Sequence, residues 1–277
     1  MYYNILTQED YPEYVQIKKV VKSLRLFVEI DTVYFSKQIE GSDISIITVI
    51  ISKKSPNYYD EVYEFLWKFF KSYPQFSFCL ADKSWVKEEL EEGNVFFILH
   101  CNENKLIYNK ASKKGVFDIR KMNGNELIQK FDQRYTDDIA ESRTISRDLR
   151  YYINSDNYLM SAYNLHQQFR YMFISVSWFL TGEYVIAHSL QDQYRHLVKF
   201  CQFPNKIFDS LKEEEWSVLK QLDNAREAIQ YGHKIEPITS DTIVIASEKI
   251  DVFRTEAGQL FQECMKKTKL IFEDYGN

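Results

Sequence analysis

Apolar side chains recur every three or four residues from Val15 to Phe27, with Lys18, Lys19, Lys22 and Arg25 on the other faces, which predicts an amphipathic helix. The pattern then changes. Thr32 to Phe35 reads as a strand, and Ile44 to Ser52, rich in β-branched residues, reads as a central strand, with a turn at Gly41-Ser42 between them. Helical spacing returns over Tyr58 to Phe70. A strand is expected at Phe76 to Leu80, a short helix at Trp85 to Leu90 ended by Gly93, and two further strands at Val95 to His100 and Leu106 to Tyr108. Alternating helices and strands place the first half around a small mixed sheet.

From about Glu126 onward the period is helical throughout. Helices are predicted at 127–154, 156–180, 189–201, 211–231 and 241–272. Ser155 or Asp156 is expected to cap the second, and Thr181-Gly182 to end it; His188 helps cap the third. Ser210 and Glu213 have the spacing of a capping box, with Gly232 where a C′ glycine belongs. Tyr158, Ala162, Leu165, Phe169, Met172, Val176 and Phe179 form one apolar stripe, the expected bundle core. The fold class is therefore α+β: a mixed-sheet domain over residues 1–120 and an all-α bundle over 121–277.

Composition narrows the function. Gly (8) and Pro (5) are too few for a disordered or low-complexity chain. The net charge of -5, with no basic half, argues against gripping long nucleic acid by counterion release, but leaves open recognition of a nucleotide or short RNA. Cys79, Cys101, Cys201 and Cys264 are dispersed and make no C-x-x-C, so each reads as a small hydrophobe and no metal or cofactor is expected. No leader is visible at Met1-Tyr2-Tyr3-Asn4, and the apolar run Tyr171 to Leu180 is too short to span a bilayer. A cytoplasmic protein without membrane contact is expected. His100 and His196 read as surface or edge residues.

Ala162-Tyr163-Asn164-Leu165-His166-Gln167-Gln168, then Thr181-Gly182-Glu183-Tyr184 and His188-Ser189-Leu190, resemble the second-helix region of HEPN domains over about residues 130–235. That resemblance implies a helical bundle that binds nucleotides or cleaves RNA without a metal, dimeric through the bundle. Its RNA-cleaving members carry Arg and, four to six residues on, His late in a helix. Here Arg226 and His233 take those positions, the His as general acid or base and the Arg as phosphate stabiliser. Nearly two helical turns separate them, so they can share a face, with Gly232 re-aiming the imidazole. His166, Gln230 and Tyr231 are the substrate-binding candidates. In an alternative alignment with Ala-Tyr-x-x-Ala-Arg-Tyr, the family arginine falls on Gln230, and Arg226 makes surface pairs near Asp223 instead. His166 itself is equally readable as a buried histidine bonded to a neighbouring helix.

The order of elements over roughly residues 12–110 resembles a minimal nucleotidyltransferase domain, in which a Gly-Ser turn and an Asp-x-Asp pair hold a triphosphate and Mg²⁺. In this chain the turn position reads Tyr34-Phe35-Ser36-Lys37 and the acidic pair reads Asp43-Ile44-Ser45. Phe35 replaces the glycine, one acid remains, and Asp82 lies beyond the strand that should supply a third. A degenerate transferase scaffold follows, with Lys37 as a residual phosphate contact.

Two functional readings stay open. One is a HEPN nucleotide- or RNA-binding protein acting as a metal-independent endoribonuclease in a toxin–antitoxin, stress or defence system. The other is a non-catalytic dimer that senses a nucleotide or holds a partner protein.

Overall fold

The computed structural model describes residues 13–37, 44–52, 55–110, 118–185, 189–209 and 212–274. The chain divides into two compact units, Met1–Phe131 with Lys266–Asn277, and Asp132–Met265, so the division falls within two long helices. The architecture is α+β: a four-stranded mixed sheet with helices, followed by a mostly helical region.

In the first unit, α1 (Tyr14–Phe27) leads to β1 (Ile30–Lys37) and β2 (Ser45–Ile51), followed by α2 (Pro56–Phe70) and β3 (Phe76–Asp82). α3 (Lys83–Glu91), α4 (Phe96–His100) and β4 (Leu106–Asn109) come next. The sheet order is β3-β2-β1-β4. β1 is antiparallel to both neighbours, while β2 and β3 run parallel. β2 is buried at every position, which is why it reads as an unbroken apolar run rather than an alternation. On one face, Val33, Phe35, Ile47, Val49 and Leu80 pack with Ile17, Val21 and Leu24 of α1 and Val62, Leu66 and Phe70 of α2.

The structure changes several sequence expectations here. Val95 to His100 is not a strand: Phe96–His100 is a helical turn buried at all five positions. A short apolar run without exposed positions shows no period, so helix and strand cannot be told apart from it. Local bonds decide instead: Asn94 Oδ1 accepts from the Phe96 N–H at 3.0 Å, and Asn94 Nδ2 donates to buried Glu89 at 2.9 Å. Tyr34-Phe35-Ser36-Lys37 is not a turn but the end of β1, paired residue by residue with Thr48 back to Ser45. His100 is not an edge residue. It is buried, stacked 4.6 Å from Phe96, with Nδ1 2.6 Å from Ser36 Oγ. Asp82 closes β3 and caps α3, accepting from the N–H groups of Ser84 and Trp85 at 2.8 and 3.0 Å. Asp43 and the Gly41-Ser42 turn lie outside the described residues.

The second unit draws on α5 (Gly124–Asn154), α6 (Tyr158–Thr181), α7 (Leu190–Leu197), α8 (Phe203–Ile207), α9 (Glu213–Tyr231) and α10 (Ser240–Asp274). No strand follows Glu126 among the described residues. The expected helix over 189–201 stops at Leu197. Asn157, rather than Ser155 or Asp156, caps α6, accepting from the Met160 N–H at 3.2 Å; the Ser155 hydroxyl donates back to carbonyls of α5. Gly182 ends α6 in the left-handed conformation at φ 78°. Ser189 caps α7, while His188 and Ser210 fall outside the described residues. The α6 stripe is buried from Ala162 through Phe179.

Contacts fix the helix directions. Asn164 Nδ2 donates to the Ile145 carbonyl at 2.6 Å, and Tyr135 packs edge-on to Phe179, so α5 and α6 are antiparallel. Phe173 meets Phe253 and Phe179 meets Phe261, so α10 runs parallel to α6. Thr242 bonds Gln221 and Lys249 pairs with Glu215, so α9 is antiparallel to α10 and hence to α6. The C-termini of α5 and α9 and the N-termini of α6 and α10 therefore share one end of the bundle. No helix among the described residues is long and apolar enough to cross a membrane.

Candidate functional site

α9 ends where Gly232 takes φ 70° and its N–H bonds the Ala228 carbonyl at 3.0 Å. That left-handed cap suits a residue without Cβ and turns the backbone off the helix axis. His233 consequently leaves the helix and folds back toward it, its Nδ1 3.4 Å from Glu227 Oε2. The imidazole is 59 % exposed, and the Tyr231 ring stands 5.8 Å from it, itself 63 % exposed.

An open cleft of about 570 Å³ lies here, lined by Lys220, Asn224 and Glu227 of α9 and by His233, Lys234, Ile235 and Glu236 of the segment beyond. Its volume falls in the range of small-ligand sites. Lys220, Asn224 and Glu227 follow the four-then-three spacing of one helix face. The helical period alone puts these three on one face, whereas the Arg-to-His spacing points only to Arg226 and His233. Neither Lys220 nor Lys234 makes an ion pair among the described residues, while the carboxylates of Glu227 and Glu236 line the same cleft.

The five residues singled out from sequence separate in space. His233 lines the cleft, and Tyr231 and Gln230 are exposed beside it on the last turn. Arg226 does not line it. Its side chain is only 21 % exposed, its Nη2 is 4.0 Å from Glu227 Oε1, and its Nε is buried without a hydrogen-bond partner. Glu227 thus stands between the arginine and the histidine. As the sequence allowed, Arg226 pairs along the helix surface, though with Glu227 rather than Asp223.

His166 lies elsewhere, 1 % exposed in the bundle core. Its Nε2 is 3.2 Å from Asp223 Oδ1, and its Nδ1 is 3.4 Å from Gln167 Nε2. Both Asp223 oxygens also accept the Leu190 N–H, each at 3.0 Å, which places the carboxylate at the N-terminus of α7. Burial holds the imidazole below its usual range; Asp223 opposes that shift, and the nearby Arg226 and Arg170 reinforce it. A neutral His166 donating through Nε2–H satisfies the site, so its geometry is that of the buried, interhelical histidine.

In the first unit the positions that the nucleotidyltransferase resemblance would assign to a triphosphate carry other contacts. Phe35 packs edge-on to Phe76, Ser36 meets His100, and Ser45 is buried at the head of β2. Lys37 is exposed at the end of β1. Among the described residues no group of three His, Cys, Asp or Glu side chains could hold a metal ion. No protein-family model matches this chain, and no curated protein matches its sequence.

Proposed function

We propose that the helical unit binds a nucleotide or a single-stranded RNA segment in the cleft beyond Gly232, as a HEPN-like, metal-independent endoribonuclease. The observation that supports it most is the cleft itself: an exposed imidazole next to the Glu227 carboxylate, with Lys220, Lys234 and Glu236 lining the same opening. In this reading His233 takes the proton of a ribose 2′-hydroxyl, whose oxygen attacks the adjacent phosphorus. The 5′-oxygen leaves with a proton and a 2′,3′-cyclic phosphate remains. Lys220 and Lys234 neutralise the phosphate, the role the sequence assigned to Arg226. Two copies pair through the bundle. The first unit serves as a degenerate transferase scaffold, a reading supported by the packing of Phe35 and the burial of Ser45.

A second reading, a non-catalytic binding dimer, is favoured by one observation: Arg226 is half-buried outside the cleft and Gln230 occupies the exposed last turn. Cleavage of a mixed single-stranded RNA in excess EDTA, with His233→Ala alongside, separates the two. Cyclic-phosphate ends from the parent alone support the ribonuclease. Tight nucleotide binding without cleavage supports the sensor.

A further inference from the structure

Arg143, Arg147 and Arg150 are all exposed on α5, and none has a carboxylate partner among the described residues. With 3.6 residues per turn, the three lie within about 60° of one another around the helix, and Glu141 and Asp148 project roughly 140° or more away from Arg143. The result is a one-sided row of guanidinium groups in a chain whose net charge is -5. Tyr151 stands one turn beyond Arg147 and is 71 % exposed, the most exposed aromatic ring in this unit. One edge of the ring packs against Tyr152, 5.6 Å between centroids, and the exposed remainder offers a base a stacking partner.

Helix direction adds the second observation. α5 reaches its C-terminus at the end of the bundle where α9 also finishes, because α5 and α9 are both antiparallel to α6. The arginine row therefore runs toward the end that holds Tyr231 and His233, and two exposed tyrosines, Tyr151 and Tyr231, mark that end. Guanidinium groups suit phosphates and exposed aromatic rings suit bases, so the combination fits a single-stranded polynucleotide better than a lone nucleotide.

We propose that Arg143, Arg147, Arg150 and Tyr151 form a track for the backbone and one base of a single-stranded RNA, leading toward the end of the bundle that holds His233. The proposal rests on the reading of the cleft as a nucleotide or RNA site and extends it, giving the protein a preference for oligonucleotides over short ligands.

The test measures binding of a fluorescent 14-nucleotide single-stranded RNA and of a dinucleotide, across a salt series, by anisotropy. Proteins compared are the parent, the triple variant Arg143→Gln/Arg147→Gln/Arg150→Gln, Tyr151→Ala, and Lys220→Gln/Lys234→Gln in the cleft. Glutamine keeps helix propensity, and melting curves check the fold. The track predicts that the triple variant loses about tenfold or more in 14-mer affinity. Its log–log salt slope should fall by about 2, the value for three phosphate contacts on a single strand. Dinucleotide affinity should stay unchanged, and Tyr151→Ala should weaken the 14-mer severalfold with no change in slope. Equal affinity and slope for parent and triple variant would overturn the track and leave the cleft standing. Loss in the triple variant with none in the lysine pair would keep the track and remove the cleft reading. A parent that binds neither RNA removes both. Displacement of the 14-mer by polyglutamate at matched charge concentration would make the row a protein-docking surface and overturn the proposal.

Discussion

His166 Nε2 and Asp223 Oδ1 stand 3.2 Å apart in the core of the bundle, and the same carboxylate holds the Leu190 N–H at the start of α7. One acidic side chain thus ties three helices together. Asp223→Ala strips a partner from two buried groups at once, and such losses cost about 1–3 kcal/mol per group. We expect a drop of about 2–4 kcal/mol in urea denaturation. His166→Ala should destabilise less, while the folded fraction keeps its nucleotide affinity, since the imidazole faces Asp223 and not the cleft. A His166→Ala protein as stable as the parent but unable to bind would return this residue to the binding site.

Two glycines with positive φ should respond very differently to alanine. At Gly232 (φ 70°) an added Cβ meets nothing within 4 Å, so only the backbone conformation is penalised, by about 1 kcal/mol. At Gly93 (φ 90°) the Cβ would lie 2.7 Å from the Phe131 backbone nitrogen and 2.8 Å from the Lys130 carbonyl carbon. Backbone cannot rotate away as a side chain can. Gly93→Ala should cost several times as much as Gly232→Ala, on the order of 3 kcal/mol or more. Equal melting temperatures for the two variants would contradict the close approach at Gly93.

Much of this architecture was legible because long elements state their period. The α6 stripe, β2 and the left-handed glycines 182 and 232 follow from spacing and backbone freedom alone. Phe96–His100 was not legible, because a turn buried on every side has no polar positions to mark its phase. At the site, the spacing places Arg226 and His233 on one face, whereas the structure puts His233 in the cleft and Arg226 outside it. A seven-residue separation implies a shared face only while the helix continues, and it ends at Tyr231. The role of Glu227 depends on that reversal, so no local pattern announces it. Asp223 was hidden for the same reason: its partners lie 57 and 33 positions away in the chain.

Acid should weaken the fold through buried His100 and half-buried His196, whose Nε2 is shielded from solvent. Burial, with Lys105 and Lys267 adding to it, pushes His100 down to about 3, and burial beside Lys199 pushes His196 down to about 4. Both sit below the unfolded value of 6.5, so the unfolded chain binds more protons between those limits. Their contribution is complete above pH 6.5 and is lost progressively as pH falls toward 4 and 3. Each such histidine adds up to about 1.4 kcal/mol per pH unit to the slope. Urea midpoints near pH 7, 6 and 5 should fall steadily for the parent and less steeply for His100→Asn, whose amide can still meet Ser36. Parallel pH profiles for the two proteins would show that His100 is not buried neutral.

Glu227 offers the sharpest division between binding and chemistry at the cleft. Its carboxylate touches both His233 and Arg226 and is 44 % exposed, so Glu227→Gln should leave stability within about 0.5 kcal/mol. Removing its charge from beside Lys220 and Lys234 leaves a more positive cleft, so affinity for a nucleotide or short RNA should rise severalfold, most at low salt. Cleavage should move the opposite way. The carboxylate lies 3.4 Å from His233 Nδ1 and orients the imidazole, so its loss should lower kcat by about 10-fold to 100-fold while KM falls. A rise in affinity with unaltered cleavage would assign Glu227 to charge balance alone. A fall in affinity would mean that the carboxylate itself, not the lysines, contacts the ligand, and the anion-binding reading of the cleft would be lost.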